Sequence, residues 1–518
     1  VRKKNTTGGV VAAGHQETAS AALQILQEGG NAFDAAIAAM FTACVAEPVL
    51  ASLGGGGFLT ARPVNADPLV YDFFAHTPSR KQPEAATNLH PIVADFGNAS
   101  QTFHIGMGSI ATPGFIKGVF AIHRERCSMP LKLLAMPAIN AAIRGVRINP
   151  FQHLISGIVQ PILRSSNAAF QLHSSAIGTD QLAQVGETRK QPEMAAFFEH
   201  LCREGEALFY LGEAGQQLTD TCRESGGHLR PHDLKQYQAV KRKPLERRYR
   251  QARIFTNPTP ALGGTLIAFT LALLDSHSLD NHLPGGADHL RRLIRAICLT
   301  QHLRTTQSRK IEKLLNEDVL REYRQRLHKG GICTRGTTQI SILDRQDNLA
   351  SMTLSNGEGS GYVIPGTGIM MNNMLGEEDI NPCGFHNWPE DERIASMMSP
   401  TLAFLDQGRI VVTGSGGSNR IRSAILQVLS NLIDFDMPLQ QAVAFPRIHF
   451  EEGLLSMEPG VDQNVSSRLA TEFPRLRQWD SKNLFFGGAH TVMLEADGRL
   501  IGAGDERRGG VWLSTETP

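Results

Sequence analysis

Residues 333–344 read CTRGTTQISILD, and residues 351–379 read SMTLSNGEGSGYVIPGTGIMMNNMLGEED. Gly336 precedes a threonine pair that opens an alternating, strand-like pattern about two-thirds of the way along the chain. Two β-branched residues are ordinary strand material. The same pair is also where a new chain terminus would do chemistry. A threonine hydroxyl is a weak nucleophile without a base beside it. Cutting Gly336–Thr337 would free an α-amine that titrates at about 7.7–8.0, on the same residue as the hydroxyl. A glycine ahead of the bond lets the backbone strain there and leaves the hydroxyl unobstructed.

Working outward, the texture after residue 336 is strand-rich. TQISILD-RQD-NLASMTLS, TLAFL-DQG-RIVVTGS and HTVMLE-ADG-RLIGAG each predict strand, tight polar turn, strand. The first two-thirds are mostly helical. QETASAALQILQE (16–28) places Ala22, Leu23, Ile25 and Leu26 on one face, Gly29-Gly30 stops it, and Asn31 caps a second helix running to 45. Further helices are predicted through about 110–335, in PGFIKGVFAIHRE, PLKLLAMPAINAAIRG, PEMAAFFEHLCREGEALFY and GTLIAFTLALLDS. Hairpins beside helices suggest stacked antiparallel sheets covered by helices. No Pro/Gly/Ser-rich linker divides the chain, so one interlocked unit is expected.

Bulk properties narrow the class. The 518 residues are 41% hydrophobic and 19% charged, with 51 Lys plus Arg against 50 Asp plus Glu. That balance offers no field to recruit nucleic acid or an acidic membrane. The basic run KRKPLERRYRQAR (241–253) reads as a solvated helix or strand face. AFDAAIAAMFTACVAEPVLASL (32–53) is interrupted by Asp34 and Glu47, which makes it a buried helix and not a membrane span. Cysteines 44, 127, 202, 222, 298, 333 and 383 are odd in number with no CxxC, so buried free thiols are expected. VRKKNTTGGVVAAGH has a signal peptide's charge but only a short, glycine-broken apolar run, so an intact secretory signal is not expected in it. A cytoplasmic location is expected, or a periplasmic one if a signal has been removed.

The common nucleophile and metal motifs are absent: no GxSxG, no GxxxxGK[ST] and no HExxH. His228 and His232 are four apart, but Pro231 intervenes, and two solvated loop histidines are expected. TGSGGSNR (413–420) lies between the strand RIVV and an apolar helix. Glycines at such a junction expose backbone N–H groups suited to an oxyanion.

The segments GGVVAAGHQETASAALQILQEGGNAFDAAIAA, EPVLASLGGGGFL, SIATPGFIKGVF, PAINAAIRGVRINPFQ, TTQISILD, GIMMNNML, MMSPTLAF and TGSGGSNRI occur in one order along nearly the whole chain. In this the chain resembles the γ-glutamyltransferase family of N-terminal-nucleophile hydrolases. The resemblance implies a proenzyme with a four-layer αββα sandwich. It implies cleavage before Thr337 into a large chain (1–336) and a small chain (337–518) that stay associated, with room for a dimer of these heterodimers. Thr337 would attack a γ-glutamyl-type amide and pass the acyl group to water, an amino acid or a peptide, with no metal or organic cofactor. The oxyanion pair falls on Gly416 and Gly417, or on Gly417 and Ser418 if the loop is shifted by one. The family's second threonine falls near Ser355, two residues after Thr353 on the same face.

Departures from the family pattern concern the substrate. Its carboxylate-binding arginine is replaced by Phe74 in DFFAHTP (72–78). An arginine fork contributes charge-assisted bonds of about 1.5–3 kcal/mol each, and a phenyl ring none. Either Arg80 or Lys81 reaches in, or the substrate is not held by a free α-carboxylate. A related acylase for a glutaryl-type or dicarboxylic monoamide is therefore the second reading, and an uncleaved, inactive ligand-binding relative the third. The paired serines become Ser396–Met397. The family asparagine aligns with Gly357 unless Asn356 takes over. Glu377, with Glu378 and Asp379 as alternatives, is the acidic partner for a substrate amine. The usual histidine after the threonine pair is Gln339, expected to be neutral for the mechanism.

Overall fold

The structure, a computed structural model, describes residues 8–95, 100–178, 180–275, 282–306, 315, 336–381 and 384–516. Cys333, Cys383 and the 1–7 stretch of the N-terminal reading lie outside the described residues, as does most of 307–335.

Two antiparallel sheets form the centre. Ahead of Gly336 lie β1 (Gly9–Ala13), β2 (Gly56–Arg62), β3 (Leu69–Phe73), β4 (Val240–Arg242), β5 (Leu245–Tyr249) and β6 (Ala252–Thr256). After it come β7 (Thr338–Asp344), β8 (Leu349–Ser355), β9 (Thr401–Phe404), β10 (Ile410–Thr413), β11 (Thr491–Leu494), β12 (Leu500–Ala503) and β13 (Val511–Ser514). The seven-stranded sheet has the order β13-β1-β7-β8-β2-β3-β4, and the six-stranded sheet β12-β11-β10-β9-β6-β5. Each sheet therefore draws strands from both sides of Gly336. The three expected hairpins are β7–β8, β9–β10 and β11–β12.

Period-two alternation divides the strands between layers. On β1, Val11 and Ala13 face the helices while Val10 and Ala12 face the other sheet. On β7, Ile340 and Ile342 join the helix-side core and Leu343 the layer between the sheets. Helices α1 (Gln16–Gln27), α2 (Ala32–Ala46), α3 (Phe115–Arg126), α4 (Leu131–Arg144) and α5 (Pro192–Glu204) share the core on the first sheet's outer face. Helices α6 (Leu262–Asp275), α7 (Ala287–Thr306) and α8 (Arg420–Ile433) cover the second sheet. The result is the expected αββα stack.

Helix α2 begins where Asn31 was expected to cap it. The Asn31 side chain accepts from the Asp34 backbone N–H, and Asp34 accepts from Asn31 N, a reciprocal capping box. No helix among the described residues is long and apolar enough to cross a membrane. The thiols of Cys44, Cys222 and Cys298 are buried and free, and those of Cys127 and Cys202 are free but partly exposed.

The described part of 110–335 is mostly helical, as expected, and its basic run, read as a solvated helix or strand face, carries β4, β5 and the start of β6. β4 and β5 are edge strands of the two sheets, and an edge accepts the charged side chains that hide a strand signal. One expectation is corrected: His228 is not solvated. It is buried, packs beside Trp388 and accepts a bond from Gln82 N at Nδ1 (2.9 Å), whereas His232 is exposed. Burial pulls the His228 pKa down to about 4.

Candidate active site

The register of β7 and β8 builds the site. Thr338 pairs with Leu354, so one step further Thr337 stands opposite Ser355 at the end of the strand pair. Side chains at 337, 339 and 341 point between the sheets, and that layer is polar at this end. Gln339 Oε1 accepts from Thr353 Oγ1 (2.6 Å), and its Nε2 donates to Ser341 and Ser351. Ser351 and Ser341 donate to the carbonyls of Thr413 and His490 on the second sheet's side. Gln339 is thus structural, locking the sheets together behind Thr337. Thr353 is committed to Gln339, which leaves Ser355 as the hydroxyl beside Thr337.

Around the Gly336–Thr337 bond every group is buried. The Thr337 hydroxyl donates to Gly336 O at 2.7 Å, and Ser355 Oγ donates to the same oxygen at 3.1 Å. Gly336 N donates to Glu358 Oε1 at 2.7 Å. The carbonyl of Thr337 accepts from Arg508 Nη1 at 3.3 Å. Burial and the neighbouring Arg420 charge pull the Arg508 pKa down. Thr338, on the opposite face, donates to Glu47 Oε2 (2.6 Å), and Thr18 donates to Glu47 Oε1 (2.8 Å). Burial pushes the Glu47 pKa up to about 7 against the pull of those two bonds.

Beside this bond opens a pocket of about 340 Å³ that includes open solvent. Phe74, Met374, Ile380, Met397, Met398 and Ile421 supply its apolar wall. Thr337, Ser355, Glu377, Ser396 and Ser418 supply its polar atoms. No arginine or lysine stands among the described residues that line it. Phe74 stacks on Phe58 with ring centroids 5.5 Å apart. The expected substitutes for its missing charge do not reach in. Arg80 is exposed, and Lys81 lies over the Trp388 ring at 4.9 Å. A buried guanidinium, Arg393, sits behind the wall and is spent on the carbonyls of Phe74 and Gln238 and on Tyr237 Oη.

Of the acidic trio, Glu377 is buried and on the wall, while Glu378 is exposed. The Asp379 side chain lies outside the described residues. Gly357 accounts for one departure from the family pattern: at φ +64°, a Cβ there would stand 2.0 Å from Asn373 Oδ1 and 2.3 Å from Glu377 Oε1, so any side chain at that position would have to push both aside. Asn356 does not line the pocket; its Nδ2 is directed at the carbonyls of Met370 (3.4 Å) and Met371 (3.5 Å). On the glycine turn, a Cβ at Gly416 would fall 2.1 Å from Thr337 O. Gly417 lies against Arg508 and Gly487, and Ser418 is the turn residue on the pocket wall. In the sequence Glu47 was read only as an interruption of an apolar run, and Glu358 and Arg508 were not singled out. Only Glu358, in GEGSG directly after a strand, had a local signal.

The chain matches the γ-glutamyltranspeptidase family model over residues 18–514. It belongs to the γ-glutamyltranspeptidase family. Among its relatives, the acylase ACY 1 proenzyme of Pseudomonas sp. (strain V22) is 28% identical over 544 residues, covering 100% of this chain and 94% of that one. The glutathione hydrolase proenzyme of Escherichia coli (strain K12) is 26% identical, covering 96% and 90%. In fold, the crystal structure of cephalosporin acylase from Bacillus halodurans superposes with a TM-score of 0.84, at 21% identity and over 98% of this chain and 96% of that one. Family membership and the αββα stack accord with the resemblance read from the sequence. Relatives of both kinds, acylase and glutathione hydrolase, are comparably similar to the chain.

Proposed function

We propose that the protein matures by cutting its own Gly336–Thr337 bond and then uses Thr337 to transfer or hydrolyse the acyl group of an amide. The single observation behind this is the convergence on Gly336 O: the Thr337 hydroxyl at 2.7 Å and the Ser355 hydroxyl at 3.1 Å. In the precursor, Thr337 Oγ attacks the Gly336 carbonyl carbon and Ser355 donates to the oxygen as it becomes an oxyanion. The C–N bond breaks as the Oγ proton passes to the departing nitrogen, which becomes the new α-amine, and water hydrolyses the resulting ester. The mature residue carries nucleophile and base together. A donor amide enters the pocket, Oγ attacks its carbonyl, and the α-amine passes the Oγ proton to the leaving amine. Water or an amino-acid acceptor then releases the acyl group. The turn at Gly416, Gly417 and Ser418 supplies N–H groups to the oxyanion, with Ser418 nearest the pocket.

For the donor, the pocket wall favours an acylase over a strict glutathione-cleaving enzyme. Phe74 offers no bond to an α-carboxylate, and neither Arg80 nor Lys81 replaces one. Glu377 accepts an amine or N–H on the acyl chain, Ser396 a polar end, and the methionines an aliphatic stem. Purified protein is given γ-glutamyl-p-nitroanilide and glutaryl-p-nitroanilide in parallel. Comparable kcat/KM for the two supports the acylase reading, and a large preference for the glutamyl compound restores the classical donor. Loss of both activities and of self-cleavage in Thr337→Ala supports the nucleophile; self-cleavage that persists rejects it.

A further inference from the structure

Glu358 has no place in the reaction just described, yet it holds one end of the residue that is cut. Its carboxylate is buried at 3% exposure and accepts the Gly336 N–H at 2.7 Å. It is carried between Gly357 and Gly359, whose positive φ values (+64° and +91°) bend the loop so that a side chain between them turns inward. With Ser355 on the carbonyl oxygen, residue 336 is held at both its N–H and its C=O by one short loop.

The chemistry of self-cleavage gives this clamp a second use. The Thr337 Oγ–carbon bond forms, the carbon–nitrogen bond breaks, and the Oγ proton ends on the departing nitrogen. What stands before water arrives is an ester of Thr337 Oγ whose acyl group is residue 336. Only the carbonyl carbon has changed partner, so the α-nitrogen of that acyl group is still within reach of Glu358. The first acyl-enzyme the protein makes is therefore a peptidyl ester of its own chain, with an amide N–H on the carbon next to the ester carbonyl. Any later acyl-enzyme is an ester at the same oxygen. After hydrolysis the new Gly336 carboxylate stands beside the Glu358 carboxylate, and like charges favour its departure. The position is then open to a substrate.

We propose that Glu358 forms a recognition point of the mature enzyme for an N–H or ammonium on the carbon next to the reacting carbonyl, so that α-aminoacyl amides with small side chains are substrates. The size limit comes from Gly336 itself: a Cβ there would stand 3.2 Å from Gly357 O and 3.3 Å from Leu50 Cδ2. Glycyl groups fit, and β-branched aminoacyl groups meet backbone. This assignment rests on Thr337 being the nucleophile.

The test compares glycyl-p-nitroanilide with propionyl-p-nitroanilide, which has the same shape and lacks the amine, and with valyl-p-nitroanilide. Mature wild-type protein is expected to turn over the glycyl compound with kcat/KM about tenfold or more above the propionyl compound, as a charge-assisted bond predicts. It should also exceed the valyl compound by a similar factor. In Glu358→Gln the glycyl-to-propionyl ratio falls towards one. A wild-type ratio of one or less overturns the proposal, as does an unchanged ratio in Glu358→Gln. If that variant fails to mature, the wild-type ratio and the valyl comparison decide alone. A denaturing gel separates this outcome from failure of the parent reading: two fragments with propionyl turnover keep Thr337 as nucleophile whatever the ratio, and one intact band removes both.

Discussion

Gly416 lacks a side chain because of its neighbour. Any Cβ there would collide with the carbonyl oxygen of Thr337, a backbone atom that also receives Arg508. Gly416→Ala should leave the chain folded by circular dichroism and slow self-cleavage by about 100-fold or more, followed by denaturing gel over time. Ser355→Ala removes one of two hydroxyls aimed at the scissile carbonyl oxygen, and self-cleavage should slow by about 10²–10³, the usual effect of losing an oxyanion donor. Thr353→Ala should disturb sheet packing more than the rate, since its hydroxyl serves Gln339. At this scale the sequence was informative where the family resemblance aligned residues to one site: Thr337, Ser355, Phe74, Glu377 and Ser396 all line one pocket. It was uninformative where a side chain turns away, as Asn356 does, or arrives from far along the chain, as Arg508 does.

Helix α2 ends on a buried acid. Glu47 closes its C-terminus, where the helix dipole disfavours negative charge, and binds Thr338 and Thr18. Its pKa is raised from 4.5 to about 7 by burial, so the folded state holds its proton more tightly than the unfolded state. The stabilisation is full below the unfolded value of 4.5 and is lost as pH rises through about 7. The loss is on the order of 3 kcal/mol. Urea midpoints measured from pH 5 to pH 8 should fall in the wild type and fall less in Glu47→Gln. An equal slope in both would assign the pH dependence elsewhere. Elements with strong periodicity or caps were legible, including α1, the Asn31 cap and all three hairpins. The charged edge strands β4 and β5 were legible only as a solvated face, helix or strand left open, because one face of an edge meets water and its alternation is filled with arginines.

Cleavage just ahead of β7, a central strand of the first sheet, would not by itself take the molecule apart. Both sheets contain strands from either side of Gly336, and β7 is bonded to β1 on one side and β8 on the other. The two chains are therefore expected to co-elute as one species in size-exclusion chromatography and to separate only under denaturing conditions. Separate elution of the fragments would contradict the interleaved topology. The most direct measurement is N-terminal sequencing and intact mass of purified, active protein. The account predicts a second chain that begins at Thr337, with a mass matching residues 337–518. A different starting residue, or full activity from a chain that remains whole, would contradict it.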